Sequence, residues 1–207
     1  MKDRLSKFLA KKKDEDYYAI KPGIFHASES GKCSRYIFLE RTNRIEDTTE
    51  QKKYFLLGDI FHEFFLKHLF QDYICEQEIS YDCGDFKIVG RADAYNAEEV
   101  IDLKTCKDAN YIFEPKPENV VQINIYMRIL ELNKGRLIYI GKNNLSIKEF
   151  KIKYDEDLFR KTLKKLRFIN NKLKNKADYT EINIQPNPKC YYCKYNKICY
   201  PNQNENS

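Results

Sequence analysis

The sequence predicts an α/β domain, and three observations carry that expectation. Short runs rich in β-branched and aromatic residues occur in pairs across polar turns, as β-hairpins do. Longer segments place apolar residues at helical spacing. The two kinds of segment alternate along the chain rather than separating into halves.

The chain opens with a charged stretch, read as a helix and a loose connection, whose lysines Lys11, Lys12 and Lys13 fit a solvated face. Pro22-Gly23 then leads to a segment carrying Cys33, Ser34, Arg35 and Tyr36. Tyr54 to Tyr73 reads as a buried helix, because its apolar residues recur at helical spacing. Phe86 to Tyr95 and Val100 to Thr105 form the first hairpin, around the polar turn Asn96-Ala97-Glu98-Glu99. A second helix runs from Glu118 to Leu132, and a second hairpin pairs Arg136 to Gly141 with Ile147 to Lys153 around Asn143-Asn144. Asp155 to Lys174 is a lysine-rich amphipathic helix with Leu158, Leu163, Leu166, Ile169 and Leu173 on or near its buried side. Pro186 and Pro188 precede a dense cysteine segment, and the polar tail after Pro201 is expected to be disordered.

A length of 207 residues suffices for one full core. The formal charge of +6 is a modest positive bias, compatible with a nucleic-acid partner. Sixteen tyrosines and thirteen phenylalanines supply rings for the core and for base stacking. There is neither a signal peptide nor an apolar run of membrane length, so a cytoplasmic location without membrane contact is expected. Disulfides are uncommon there, and the seven cysteines need burial or a metal.

The first hairpin carries the chemistry. Symmetric pairing about its turn puts Asp93 opposite Asp102, where like charges repel across a Cβ separation of roughly 4.5–5.5 Å. A divalent cation between the carboxylates would reverse that penalty. Ile101 and Leu103 alternate with Asp102 and Lys104, so one strand face is apolar and the other charged. Asp and Lys are poor strand residues, and their presence in a strongly strand-forming run marks a functional position. Two carboxylates and a lysine converging in this way suit metal-assisted phosphodiester cleavage. His62 in the preceding helix is either a core histidine or a third ligand, and imidazole beside carboxylates suits Mn²⁺. His68 lies six residues further on, about 120° around the helix axis, and does not share its ion. Gln122 and Tyr126, four residues apart, share one helix face.

The cysteine spacing Cys190-x2-Cys193-x5-Cys199 is a second metal signal. A closed site takes four ligands, and with no histidine after His68 the fourth must come from far away in the chain. Cys33 is the candidate, whereas Cys75, Cys83 and Cys106 read as core or incidental thiols. Sulfur ligation admits either zinc or an iron–sulfur cluster.

Taken in order, Cys33, Gly58-x3-His62, Gly90-x2-Asp93, Asp102-x-Lys104, Gln122-x3-Tyr126 and the C-terminal cysteines resemble the RecB-like PD-(D/E)XK nucleases. They are most similar to the compact CRISPR-associated exonuclease branch with four cysteines and its archaeal and viral relatives. The resemblance runs from about Cys33 to Cys199; its one departure is Asp102, where many relatives carry Glu. It implies a restriction-endonuclease-like mixed sheet flanked by helices, and a [4Fe-4S] cluster on Cys33, Cys190, Cys193 and Cys199 clasping the N- and C-terminal segments. Residues 1–185 would be the nuclease domain, 186–201 the cysteine-rich segment and 202–207 the tail. His62, Asp93, Asp102 and the Leu103 carbonyl would hold Mg²⁺ or Mn²⁺, with Lys104, Gln122 and Tyr126 completing the catalytic set. The implied substrate is DNA, single-stranded by preference, cut as an exonuclease with endonuclease activity possible as well. Helicase or integrase partners of the kind related nucleases use are compatible, though no motif marks them. The alternative is a catalytically silent DNA-binding scaffold with a metal clasp.

Overall fold

The computed structural model describes residues 23–201. The charged N-terminal segment with Lys11, Lys12 and Lys13, and the tail expected over 202–207, lie outside the described residues. In chain order the regular elements are β1 (Ile24–His26), α1 (Ala27–Ser30), α2 (Ser34–Thr42), α3 (Thr49–Leu69), β2 (Ile74–Asp82), β3 (Lys87–Tyr95) and β4 (Val100–Cys106). Next come α4 (Pro117–Ile129), β5 (Lys134–Gly141), β6 (Ile147–Lys153), α5 (Glu156–Lys174) and α6 (Asn196–Cys199), with short 3₁₀ turns at Ala109–Tyr111, Tyr179–Glu181 and Pro188–Tyr192.

The strands make one six-stranded mixed sheet in the order β1-β3-β4-β5-β6, with β2 also joined to β3. β2 runs antiparallel to β3 along one edge, Ile74 opposite Tyr95 through to Asp82 opposite Lys87. The other edge of β3 is shared. β1 pairs in parallel with Lys87 to Val89, and β4 pairs antiparallel with Ala94 and Tyr95 only. Among the described residues no strand lies beside 90–93 on that edge, so the sheet forks there. β4 continues in parallel with β5, and α4 supplies the crossover that a parallel pair requires.

Local chemistry accounts for these elements. The Asn96 side-chain oxygen accepts the N–H groups of Glu98 and Glu99 at 2.8 and 3.0 Å, closing the first hairpin as an Asx turn. The resulting pairs, Ala94 with Ile101 and Tyr95 with Val100, are in the register that symmetric pairing predicts. α4 opens with Pro117 at its first turn, where a missing N–H costs nothing. α5 is capped by Asp155, which accepts the Leu158 N–H at 2.9 Å. Its buried stripe is Phe159, Thr162, Leu166, Ile169 and Asn170. The main core lies between one sheet face and α2, α4 and α5, joining Phe25, Phe38, Ile88, Ile123, Leu137 and Leu166. A smaller core on the other face joins Leu66 and Phe70 to Ala94, Ile101, Leu103, Ile138 and Ile140.

Two expectations change. The helix read over Tyr54 to Tyr73 starts earlier, at Thr49, where Thr48 and Gln51 form a capping box, and it is not buried. Leu66 is its one buried residue, while Leu57, Ile60 and Phe64 are exposed. Helical periodicity registers apolar residues without showing how much sheet there is to cover them, and α3 packs only on the small second core. The strand β2 and the segment β1–α2 also escaped the sequence reading. β2 is an edge strand whose Glu76, Gln77, Glu78, Ser80 and Asp82 dilute its apolar alternation, and β1 is too short to show a period. No helix among the described residues is long and apolar enough to cross a membrane.

Leu166 is fully buried where α5 meets the main core. Leu166→Ala should destabilise the protein by about 2–5 kcal/mol, read as a lower urea midpoint with an unchanged slope.

Candidate active site at the fork in the sheet

Asp93 sits near the end of β3, just where β4 begins to diverge. Its Oδ2 accepts the Leu103 N–H at 2.7 Å, so the carboxylate satisfies a backbone donor for which β3 offers no carbonyl. Strand geometry sends the Leu103 carbonyl toward the same edge as its N–H, and therefore toward the fork. From α3, His62 brings Nε2 to 2.9 Å of the same Asp93 oxygen. Burial lowers the His62 pKa, but the hydrogen bond and charge of Asp93, with Glu76 and Asp102 behind them, outweigh it and raise the value.

Asp102 lies deeper. It is completely buried, and Lys104 Nζ stands 3.0 and 2.9 Å from its two oxygens. Oδ2 nevertheless receives no hydrogen bond of good geometry; the Lys104 contact there is one of charge alone. Burial pushes the Asp102 carboxyl up to about 7, with Asp93 adding to the shift while Lys104 and His62 oppose it. Burial would lower Lys104, yet Asp102 and Asp93 hold it above its ordinary value. A buried carboxylate with an orphaned oxygen, beside a second carboxylate and an imidazole, fits a hard or borderline divalent cation. The expected ligands are not drawn equally close, however. Among the described residues, the set whose ligand atoms all lie within 4.8 Å of one another is His62, Glu76 and Asp93, while Asp102 engages Lys104.

α4 completes the site. Lys104 Nζ donates to Gln122 Oε1 at 3.0 Å, and Gln122 Nε2 donates to the Tyr126 hydroxyl at 2.8 Å. Burial, then the charges of Asp102 and Asp93, raise the tyrosine pKa, so the phenol stays protonated. Gly90 makes this packing possible: a Cβ there would stand 2.7 Å from Tyr126 Cε1. These groups open onto a cavity of about 820 Å³ that Lys87 and Arg91 also line. Sequence reasoning missed Glu76, His26 and Ser28, which come from elements it did not recognise; His26 and Ser28 also line the cavity. His68 stands apart, its ring centroid 4.7 Å from that of Phe64.

Cys33, Cys190, Cys193 and Cys199 line a second cavity, of about 790 Å³. They are not gathered as a single-ion site, since no three of their sulfurs lie within 4.8 Å of one another. Protein contacts bring the C-terminal segment there. Tyr195 is 1% exposed and donates to Glu40 Oε1 at 2.9 Å, Lys194 pairs with Glu40 at 2.5 Å, and Arg35 Nε donates to the Ile182 carbonyl at 3.0 Å. Cys75, Cys83 and Cys106 are partly buried against the two cores.

The PD-(D/E)XK nuclease superfamily matches this chain over residues 66–200. The CRISPR-associated exonuclease Cas4 of Saccharolobus solfataricus is 26% identical over 211 residues, covering 94% of this chain and 97% of the relative. Among solved structures, SSO0001 superposes with a TM-score of 0.69 at 26% identity, over 94% of this chain and 95% of that one. An alkaline exonuclease from Laribacter hongkongensis, at 12% identity, shares the fold with a TM-score of 0.54 over 81% of this chain and 96% of its own.

The raised Asp102 pKa has a consequence for the metal-free protein. Between about pH 4, where an unfolded Asp ionises, and about pH 7, the folded state keeps a proton the unfolded chain has released. Stability from this group therefore falls as pH rises through that window. Asp102→Asn should flatten this part of the curve in urea unfolding from pH 4 to 8. Equal slopes in wild type and variant would refute the assignment.

Proposed function

Because the chain belongs to the PD-(D/E)XK nuclease superfamily, and so to the phosphodiester hydrolases, we propose that it is a divalent-metal-dependent DNA exonuclease preferring single strands, with endonuclease activity as a second mode. The observation that carries this reading is the buried Asp102–Lys104 pair beside His62 and Asp93 at the fork, where His62, Asp93 and Lys104 line a cavity with basic residues on its wall. The names of its relatives, a CRISPR-associated exonuclease and an alkaline exonuclease, support the exonuclease assignment.

His62, Asp93, Asp102 and the Leu103 carbonyl would hold Mg²⁺ or Mn²⁺. When bound, such an ion polarises the scissile phosphate and lowers the pKa of water. The chain supplies the rest. Lys104, fixed between Asp102 and Gln122, presents an ammonium that offsets charge growing on the phosphate. Gln122 uses its carbonyl to hold that lysine and its amide to hold Tyr126, so one side chain sets the position of both. Lys87 and Arg91 attract the DNA backbone into the cavity, which makes affinity fall with salt.

For the cysteines the proposal is a structural [4Fe-4S] cluster. Sulfurs on one tetrahedral zinc stand roughly 3.8 Å apart, given a zinc–sulfur bond of about 2.3 Å. No three of the four sulfurs here meet within 4.8 Å, yet all four cysteines line one cavity, which supports a group larger than a single ion. Hydrolysis transfers no electrons, so the cluster acts as a clasp between α2 and the C-terminal segment, and its binding adds to folding free energy.

The first test is digestion of end-labelled single- and double-stranded DNA with Mn²⁺, Mg²⁺ or EDTA. Cleavage should require the metal and favour single strands, and Asp93→Ala and Lys104→Ala should each lower the rate by about 10²-fold or more. Undiminished cleavage by Asp93→Ala would overturn the site, and no cleavage by folded, metal-replete protein would favour a silent scaffold. The second test is metal content. Anaerobically prepared protein should be brown with equal iron and sulfide, and Cys193→Ser should lose the colour and melt at lower temperature. Colourless protein holding zinc would overturn the cluster.

A further inference from the structure

Within the metal-site reading above, on which this inference rests, we propose that Glu76 is a positioning residue that holds the His62 imidazole with Nε2 toward the fork, and so sets the affinity for a divalent cation. Glu76 lies on β2 between Cys75, paired with Ala94, and Gln77, paired with Ala92. That register sets it directly opposite Asp93. Two carboxylates facing each other across a ladder are unfavourable unless a hydrogen-bonding group stands between them. The His62 ring does so. Its Nε2 is 2.9 Å from Asp93 Oδ2, and its Nδ1 is 3.4 Å from Glu76 Oε1.

The backbone is bent to allow this contact. Glu76 has φ of +55°, in the left-handed region that L-residues enter at a cost, and it does so within an otherwise extended strand. Its second oxygen is taken by Arg91 Nε at 2.8 Å. With Oε2 on arginine and Oε1 on histidine, Glu76 has its outer role filled from both sides. When an ion takes the place of the Nε2–Asp93 hydrogen bond, the carboxylate beside Nδ1 would hold the ring proton there and leave the Nε2 lone pair to the ion. Outer partners of this kind orient a metal-binding histidine, and their loss typically costs about 10–100-fold in metal affinity.

The test is Mn²⁺ binding by titration calorimetry, without DNA, to wild type, Glu76→Gly, Glu76→Gln and Asp102→Asn. Glycine enters the left-handed region freely, so Glu76→Gly should melt at or above the wild-type temperature while binding Mn²⁺ about 10–100-fold more weakly. Glu76→Gln should keep most of the affinity, because the amide oxygen still accepts from Nδ1. Equal losses in Glu76→Gly and Glu76→Gln would overturn the proposal in favour of direct ligation by Glu76. Wild-type affinity in both would overturn it in favour of an idle surface carboxylate. Asp102→Asn separates the two levels: if wild type binds no Mn²⁺, or Asp102→Asn binds it equally well, the metal-site reading itself fails and Glu76 falls with it.

Discussion

The hydrogen bond from the Leu103 N–H to Asp93 Oδ2 stands where the sheet stops being a sheet. β3 is shared on one edge by β1 and β4, and between them four residues have no strand beside them among the described residues. A backbone donor stranded at such a fork must find a partner, and a carboxylate takes it. Because the acceptor is charged, its other neighbours are constrained as well: His62 approaches the same oxygen, and Glu76 closes on the far side of the imidazole. The opening in the ladder is thus both the structural irregularity and the place where ionisable groups collect.

Electrostatic balance within the site depends on burial. Asp102 is removed from water, and burial raises its carboxyl to about 7 even though the ammonium of Lys104 opposes the shift. Lys104 is retained by Gln122 from α4, and Gln122 is tied in turn to Tyr126, whose ring lies where only glycine at position 90 leaves room. A rigid crossover helix therefore fixes the lysine, and the lysine offsets the charge of the buried carboxylate. A site assembled from strand, crossover helix and α3 draws its precision from regular elements rather than loops.

The second cavity follows a different logic. There the polypeptide brings distant segments together through Tyr195, Lys194 and Glu40, and the thiols line the space that results. α2 and the C-terminal segment meet by ordinary burial and ion pairing before any inorganic group is considered. α3, by contrast, spends much of its length over solvent, with Leu57, Ile60 and Phe64 uncovered.

By itself the sequence determined the elements whose signals are local. The two hairpins were legible because turn chemistry and alternation lie within a few residues, and the Asn96 turn sets the Ala94–Ile101 register. α5 was legible because Asp155 caps a regular apolar stripe. Tertiary structure alone decided how far each apolar face is covered, which is why α3 proved exposed. It also decided the role open to Glu76, because a polar edge strand carries little period and its opposition to Asp93 exists only once β2 has docked on β3. β2 and β3 are chain neighbours joined by a short turn, so their register becomes readable only once β2 is recognised as a strand, and its polar run conceals that.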